Sequence, residues 1–299
     1  MKSRILLAIA SIVVLGAIFT ITNKKETDNP NQSAQETHTE NTVNIQSQSK
    51  DSTPICVKLV YDKPIEGYEV TADWQPFEVK DCETGYITIN FRDISTGKEF
   101  QYINREKFSS YHTDLITSAE GFDGYEDGDV YHIEYVTKPN PFEESPIDYY
   151  LPFQFYDVDF DGEKELLIND YYQGQQGNYY EVFEITDSGL EAKKHRPFNY
   201  VDNMMKFDSQ NKIITFYTHD GSDYSCSLYY QKVAASTKQT IVIPNNFDER
   251  LKLKLADFAA DIPSDFHITK AEISLGDDDY QLIVKNNKWK IVKHTKSSI

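Results

Sequence analysis

Asp157-Val158-Asp159-Phe160-Asp161-Gly162-Glu163-Lys164-Glu165 puts three carboxylates at alternate positions, a glycine directly after the third, and a further carboxylate three residues beyond the glycine. Calcium is a hard cation that takes six to eight oxygen ligands at roughly 2.3–2.6 Å. Aspartate is short, so alternate aspartates on a tightly curled loop can all turn their oxygens inward. A glycine next to them supplies backbone angles that other residues avoid. The expected ligand set is the side chains of Asp157, Asp159 and Asp161, the backbone carbonyl of Glu163, and Glu165 closing the shell. This is not an EF-hand, which needs an acidic residue at loop position 12 and a helix on each side. Position 12 here is Ile168.

Strands must position such a loop. Leu151-Pro152-Phe153-Gln154-Phe155-Tyr156 precedes it with strand-forming aromatics, and Leu166-Leu167-Ile168 follows as the apolar run of a buried strand. A strand, acidic loop, strand unit of this kind resembles the calcium loops of FG-GAP and VCBS-like β-repeat proteins, whose pattern is DxDxDGxxD/E. The likeness continues through Gly174, Gly177 and Asn178 into the alternating strand Tyr179–Ile185. It then passes the turn Asp187-Ser188-Gly189-Leu190 and reaches the strand Asn211–Tyr217. This succession, roughly Tyr149 to Val233, looks like a family of bacterial envelope proteins with a VCBS-like calcium domain. Some members of that family are lysozyme or peptidoglycan-hydrolase inhibitors. The resemblance implies metal-ligand roles for Asp157, Asp159, Asp161, Glu163 and Glu165 with Ca2+ as cofactor. It implies inhibition only by analogy. No second copy of the loop is present, so a full propeller of calcium repeats is not expected.

The chain has 299 residues and a net charge of −18, from 48 acidic against 30 basic residues. Phosphate backbones repel such a surface, which excludes nucleic acid as a partner; a basic envelope or secreted protein would suit it. With 21 Tyr and 17 Phe, the composition favours antiparallel sheets, where a tyrosine ring packs while its hydroxyl stays wet. The expected fold is mainly β, a partial propeller-like arrangement or a sandwich, with one or two short helices.

Ile5 to Thr22 is an apolar run preceded by Lys2 and Arg4, which reads as an export segment. Its length, and the lack of a clean small-x-small site after it, favour an uncleaved membrane anchor over a cleaved signal peptide. The rest of the chain is expected outside the cytoplasm, with secretion after cleavage as the alternative. The expected organisation is an anchor or signal at 1–22 and a polar linker at 23–53 that cannot bury enough apolar surface to order. A β-rich region at 54–140, the calcium-loop β region at 141–238 and an α+β region at 239–299 follow. The three cysteines leave one over from any pair: Cys56 and Cys82 flank a short β region and could bridge, and Cys226 reads as a buried thiol.

Within these regions, Ile55–Tyr61, Gly85–Phe91 and Asp129–Val136 read as strands, and Arg105 to Ala119 as a short helix. Gln239–Ile243 reads as a strand. Asp248 to Ala260 reads as a helix, with Leu251, Leu255, Phe258 and Ala259 on one face and Asp248 as N-cap. Ile268–Leu275, Tyr280–Lys285 and Lys288–Val292 form a closing antiparallel set, with Asn286-Asn287 as a hairpin turn. Asp277-Asp278-Asp279 reads as a solvated turn, with a second cation site as the alternative, and Asp123, Glu126, Asp127 and Asp129 form a looser metal candidate whose spacing matches no motif. Trp74 and the loop Asp170–Tyr180 offer either a recognition surface or ordinary sheet packing. The histidines are scattered, and no GxSxG elbow is present. The function expected is a non-enzymatic binding or inhibitor module. An envelope hydrolase working through paired carboxylates is the alternative.

Overall fold

The computed structural model describes residues 55–78, 84–109, 124, 126–137, 145–148, 151–172, 178–220, 223–234 and 238–296. The N-terminal anchor and linker, Cys82, Asp123 and residues 173–177 lie outside them. No helix among the described residues is long and apolar enough to cross a membrane.

Three sheets make the fold mainly β. The first contains β1 (Val57–Tyr61), β2 (Tyr68–Pro76), β3 (Thr84–Asp93), β4 (Glu99–Ser109) and β5 (Val130–Ile133). Their order is β4-β3-β2-β1-β5, with β5 parallel to β1 and the rest antiparallel. The second contains β6 (Phe153–Tyr156), β7 (Glu165–Tyr172), β8 (Asn178–Thr186), β9 (Gly189–Ala192) and β10 (Val201–Asp202). It runs β10-β8-β7-β6, with β9 folded back on β8. The third is a six-stranded meander of β11 (Lys206–Asp208), β12 (Ile213–Asp220), β13 (Tyr224–Lys232), β14 (Phe266–Leu275), β15 (Asp278–Lys285) and β16 (Lys288–Lys296).

The second sheet lies between two cores, and its sequence explains why. Successive side chains of a strand point to opposite faces. Leu166 and Ile168 of β7 join Phe153, Phe155 and the inward residues of the first sheet, among them Leu59, Trp74, Ile89 and Phe91. Leu167 points the other way, into a core with Val182, Leu228, Leu251, Phe266 and Trp289. A strand buried on both faces has no polar side to show, and hence reads as an unbroken apolar run. The aromatic-rich composition fills the first core: Tyr68 stacks on Phe155 at 5.1 Å, and Phe91 meets Phe153 edge-on at 5.3 Å.

The α-helix, α1 (Glu249–Phe258), starts where expected. The Asp248 carboxylate accepts the N–H groups of Arg250 and Leu251, and Leu251, Leu255 and Phe258 are buried. Two expectations are corrected. Residues 105–109 are not helical but continue β4, which pairs with β3 as far as Ser109↔Thr84, with an irregularity between Gly85 and Ile87. Gln239–Ile243 is not a strand: it makes a single parallel bridge, Val242↔Lys288. Gln239 instead spends its side-chain amide on the backbone of Ile268, accepting from the N–H at 2.8 Å and donating to the carbonyl at 3.1 Å. Trp74 and Tyr180 are core residues, each 2% exposed, and not part of a recognition surface. The third sheet crosses the expected division at 238/239, because β13 and β14 pair from Tyr224↔Leu275 to Lys232↔Phe266.

Candidate metal centre

The acidic loop joins β6 to β7, closed by the pair Tyr156↔Glu165. Its odd and even positions divide the work. Val158 and Phe160 are buried in the second core and anchor the loop from beneath. Phe160 takes φ 61° and Gly162 φ 98°, left-handed conformations that turn the chain back over its own aspartates. The backbone then donates into the carboxylates. Asp157 accepts the N–H of Asp161 on Oδ1 and that of Gly162 on Oδ2, both at 3.1 Å. Asp159 Oδ1 also accepts from Asp161 at 3.1 Å, and Glu165 Oε2 accepts the Val158 N–H at 3.0 Å.

Of the five expected ligand residues, Asp157, Asp159 and Glu165 converge, with one oxygen from each lying within 4.8 Å of the others. Asp161 and Glu163 are exposed, and the Asp161 carboxylate accepts the Glu163 N–H at 2.8 Å. Two cations unseen in the local sequence complete the cluster. Lys193 Nζ bridges Asp159 Oδ2 at 2.6 Å and Glu165 Oε1 at 2.7 Å, and Lys232 Nζ stands 3.4 Å from Asp159 Oδ1. Lys212 donates to the Phe160 carbonyl at 3.4 Å. Lys193 also lies 5.6 Å from the centre of the Phe198 ring, and Lys232 5.9 Å from that of Phe266, contacts that favour a charged ammonium.

Burial and charge pull against each other here. Burial pushes Asp159 up, but the hydrogen bond and charge of Lys193, with the charge of Lys232, outweigh it and hold the carboxyl below its usual range. Glu165 is more deeply buried; that desolvation wins over Lys193, and the neighbouring Asp159 charge adds to it, so its pKa is raised. For Lys193 burial acts to lower the pKa, yet its bonds to Asp159 and Glu165 prevail and keep the ammonium protonated. The donor set is all oxygen, as a hard cation requires, while an ammonium already sits between its two most buried members.

The other acidic groups are engaged elsewhere. Asp127 accepts the Cys56 N–H at 3.0 Å, and Asp129 accepts from the Glu126 N–H and the Tyr131 hydroxyl. Asp278 pairs with His294 at 2.8 Å, and Asp279 accepts the Ser274 hydroxyl at 2.6 Å. A cavity of about 500 Å³ beside the β1–β2 turn carries Asp62, Glu66 and Glu134. Each of these has a basic partner: His132 at 2.8 Å, Lys164 at 2.7 Å and Lys63 at 3.7 Å respectively.

No protein-family model matches the chain, and no curated protein matches it. A solved structure described as a Xanthomonas type IV secretion system related protein shares 9% identity at a TM-score of 0.38, over 76% of this chain and 90% of that one. At that score the likeness says nothing about what this chain does.

Proposed function

We propose that this chain is a non-enzymatic binding module of the bacterial envelope, exported and tethered by Ile5–Thr22, with calcium as a structural ion in the Asp157–Glu165 loop. The observation that carries this reading is the convergence of Asp157, Asp159 and Glu165 on a loop whose own N–H groups already hold the carboxylates inward. Asp157, Asp159 and Glu165 would hold the ion, with the Glu163 carbonyl and Asp161 as the remaining expected donors. Calcium bound there neutralises the cluster and fixes the β6–β7 connection for contact with a partner. The net charge of −18 suits a basic envelope or secreted protein, such as a lysozyme-like enzyme. The hydrolase alternative draws less support, because Asp62, Glu66 and Glu134, three of the four carboxylates lining the cavity beside the β1–β2 turn, are each tied to a base and not left as an acid–base pair.

One observation favours a second reading. Lys193, bridging Asp159 and Glu165, does the job of a cation, so the cluster also works as a metal-free ion-pair network. The two readings part on Lys193→Met. Without calcium, this change leaves buried Glu165 without its cation and Asp159 with Lys232 alone, and costs about 3–5 kcal/mol. If the loop binds calcium, millimolar ion raises the melting temperature of the wild type, raises that of Lys193→Met further, and leaves Asp159→Ala unmoved. Flat calorimetric melts for both the wild type and Lys193→Met, with and without calcium, would leave the ion-pair network alone standing.

A further inference from the structure

The opposite end of the chain carries the opposite charge. Between residues 285 and 296 stand Lys285, Lys288, Lys290, Lys293 and Lys296, with no aspartate or glutamate, in a chain whose net charge is −18. Strand pairing places four of these lysines together. Lys285 opposes Lys288, Ile283 opposes Lys290 and Gln281 opposes Lys293, and residues 281, 283 and 285 alternate onto one face of β15. Lys285, Lys288, Lys290 and Lys293 therefore share one face. An irregularity between Gln281 and Leu282 keeps Lys293 on it despite its odd spacing from Lys290. Among the described residues none of these four makes an ion pair, whereas Lys193, Lys164 and Lys98 all do.

β16 is also the outer strand of the third sheet. Val242 covers its start, donating to the Asn287 carbonyl at 2.8 Å and accepting the Trp289 N–H at 3.0 Å. From Lys290 to Lys296 no described strand lies along its outer side. A groove of about 530 Å³ lies at the near end of this open length, beside the turn, lined by Asn246, Phe247, Lys285, Lys288, Lys290 and Ile291. On the open length itself, Val292 is 57% exposed.

The geometry points to β16 as a docking edge for an acidic polypeptide segment in extended conformation, which adds as a seventh strand to the third sheet. The open backbone edge supplies main-chain hydrogen bonds, and the lysine row pairs with carboxylates at alternate positions of the incoming strand. A second copy of β16 does not fit, since antiparallel self-pairing sets lysine against lysine. Lysines on an edge strand also serve to keep edges apart, which is the competing explanation.

The test is isothermal calorimetry on the full chain with a capped eight-residue peptide alternating Glu and Val. The controls are the same peptide with its two central valines replaced by proline, and the variant Lys288→Gln/Lys290→Gln/Lys293→Gln. Binding is expected for the Glu-Val peptide, weakening as salt rises. At least a tenfold loss is expected with the proline peptide, which keeps its charge but lacks two N–H donors, and at least tenfold with the triple variant. All three substituted lysines are exposed, and circular dichroism checks that the variant is folded. Equal binding of the proline peptide would make the lysines a general polyanion surface and overturn strand addition. No binding of any peptide, with aggregation of the triple variant, would assign the lysines to edge protection and overturn it as well. A concentration-dependent dimer of the wild type in sedimentation would give the edge to a second copy instead.

Discussion

Asp202 is a carboxyl that folding removes from water. It is 1% exposed, and the Met204 N–H at 2.8 Å does not make up for its desolvation, so its pKa is raised to about 7. In the unfolded chain the group titrates near the ordinary aspartate value of 3.8. Between these values the native state binds the extra proton, so stability is present below about pH 4 and falls as pH rises through 7. Asp202→Asn is expected to remove this slope, gaining a few kcal/mol at pH 8 and nothing at pH 4, as read from denaturant melts at the two pH values. At the same scale the acidic loop was legible because all its parts are local: alternate aspartates, a glycine at the left-handed position, and a closing glutamate. Lys193 and Lys232 were not. They lie 34 and 73 residues from Asp159 in the chain and reach it only because the strands bring them there. Their signal in the sequence is no different from that of any solvated lysine.

Among the elements, the turn between β15 and β16 rests on two asparagines, Asn286 and Asn287, both at φ 53°. With Lys285 paired to Lys288, this is a two-residue loop of the type whose twist matches the strands it joins. Asn287→Gly is expected to be neutral or stabilising by about 0.5 kcal/mol. Asn286→Val forces a β-branched residue into the left-handed region and should cost about 1–2 kcal/mol, measured by urea unfolding. Strands with clean alternation or a hairpin signal, such as β8, β15 and β16, could be read directly, as could α1 with its aspartate cap. β4 could not. Near its far end Arg105-Glu106-Lys107 has the polar look of a helix, and the strand is carried across this irregularity by β3, which pairs with Asn104 before it and with Phe108 and Ser109 after it. Gln239–Ile243 failed in the opposite sense: its residues favour a strand, but only Val242 has a neighbour to pair with.

For the whole molecule, the decisive feature is the second sheet, which feeds both cores through adjacent residues. Leu167→Ala should cost about 2–5 kcal/mol by opening a cavity on one side, and Leu166→Ala a similar amount on the other. Because each side depends on the same strand, either change is expected to shift a single cooperative transition; calorimetry showing two separate transitions would contradict this. Three layers around a shared sheet were not legible beforehand: the apolar run Leu166–Ile168 announced burial, and only the paired strands show that it faces two ways. The far edge of the molecule has a different consequence. Trp289 is fully buried in the second core, yet every residue after it in β16 is exposed. That length is therefore held by its pairing with β15 and not by any core side chain of its own. A truncation that spares Trp289 keeps the core filled, and one that removes it takes away the keystone of the second core.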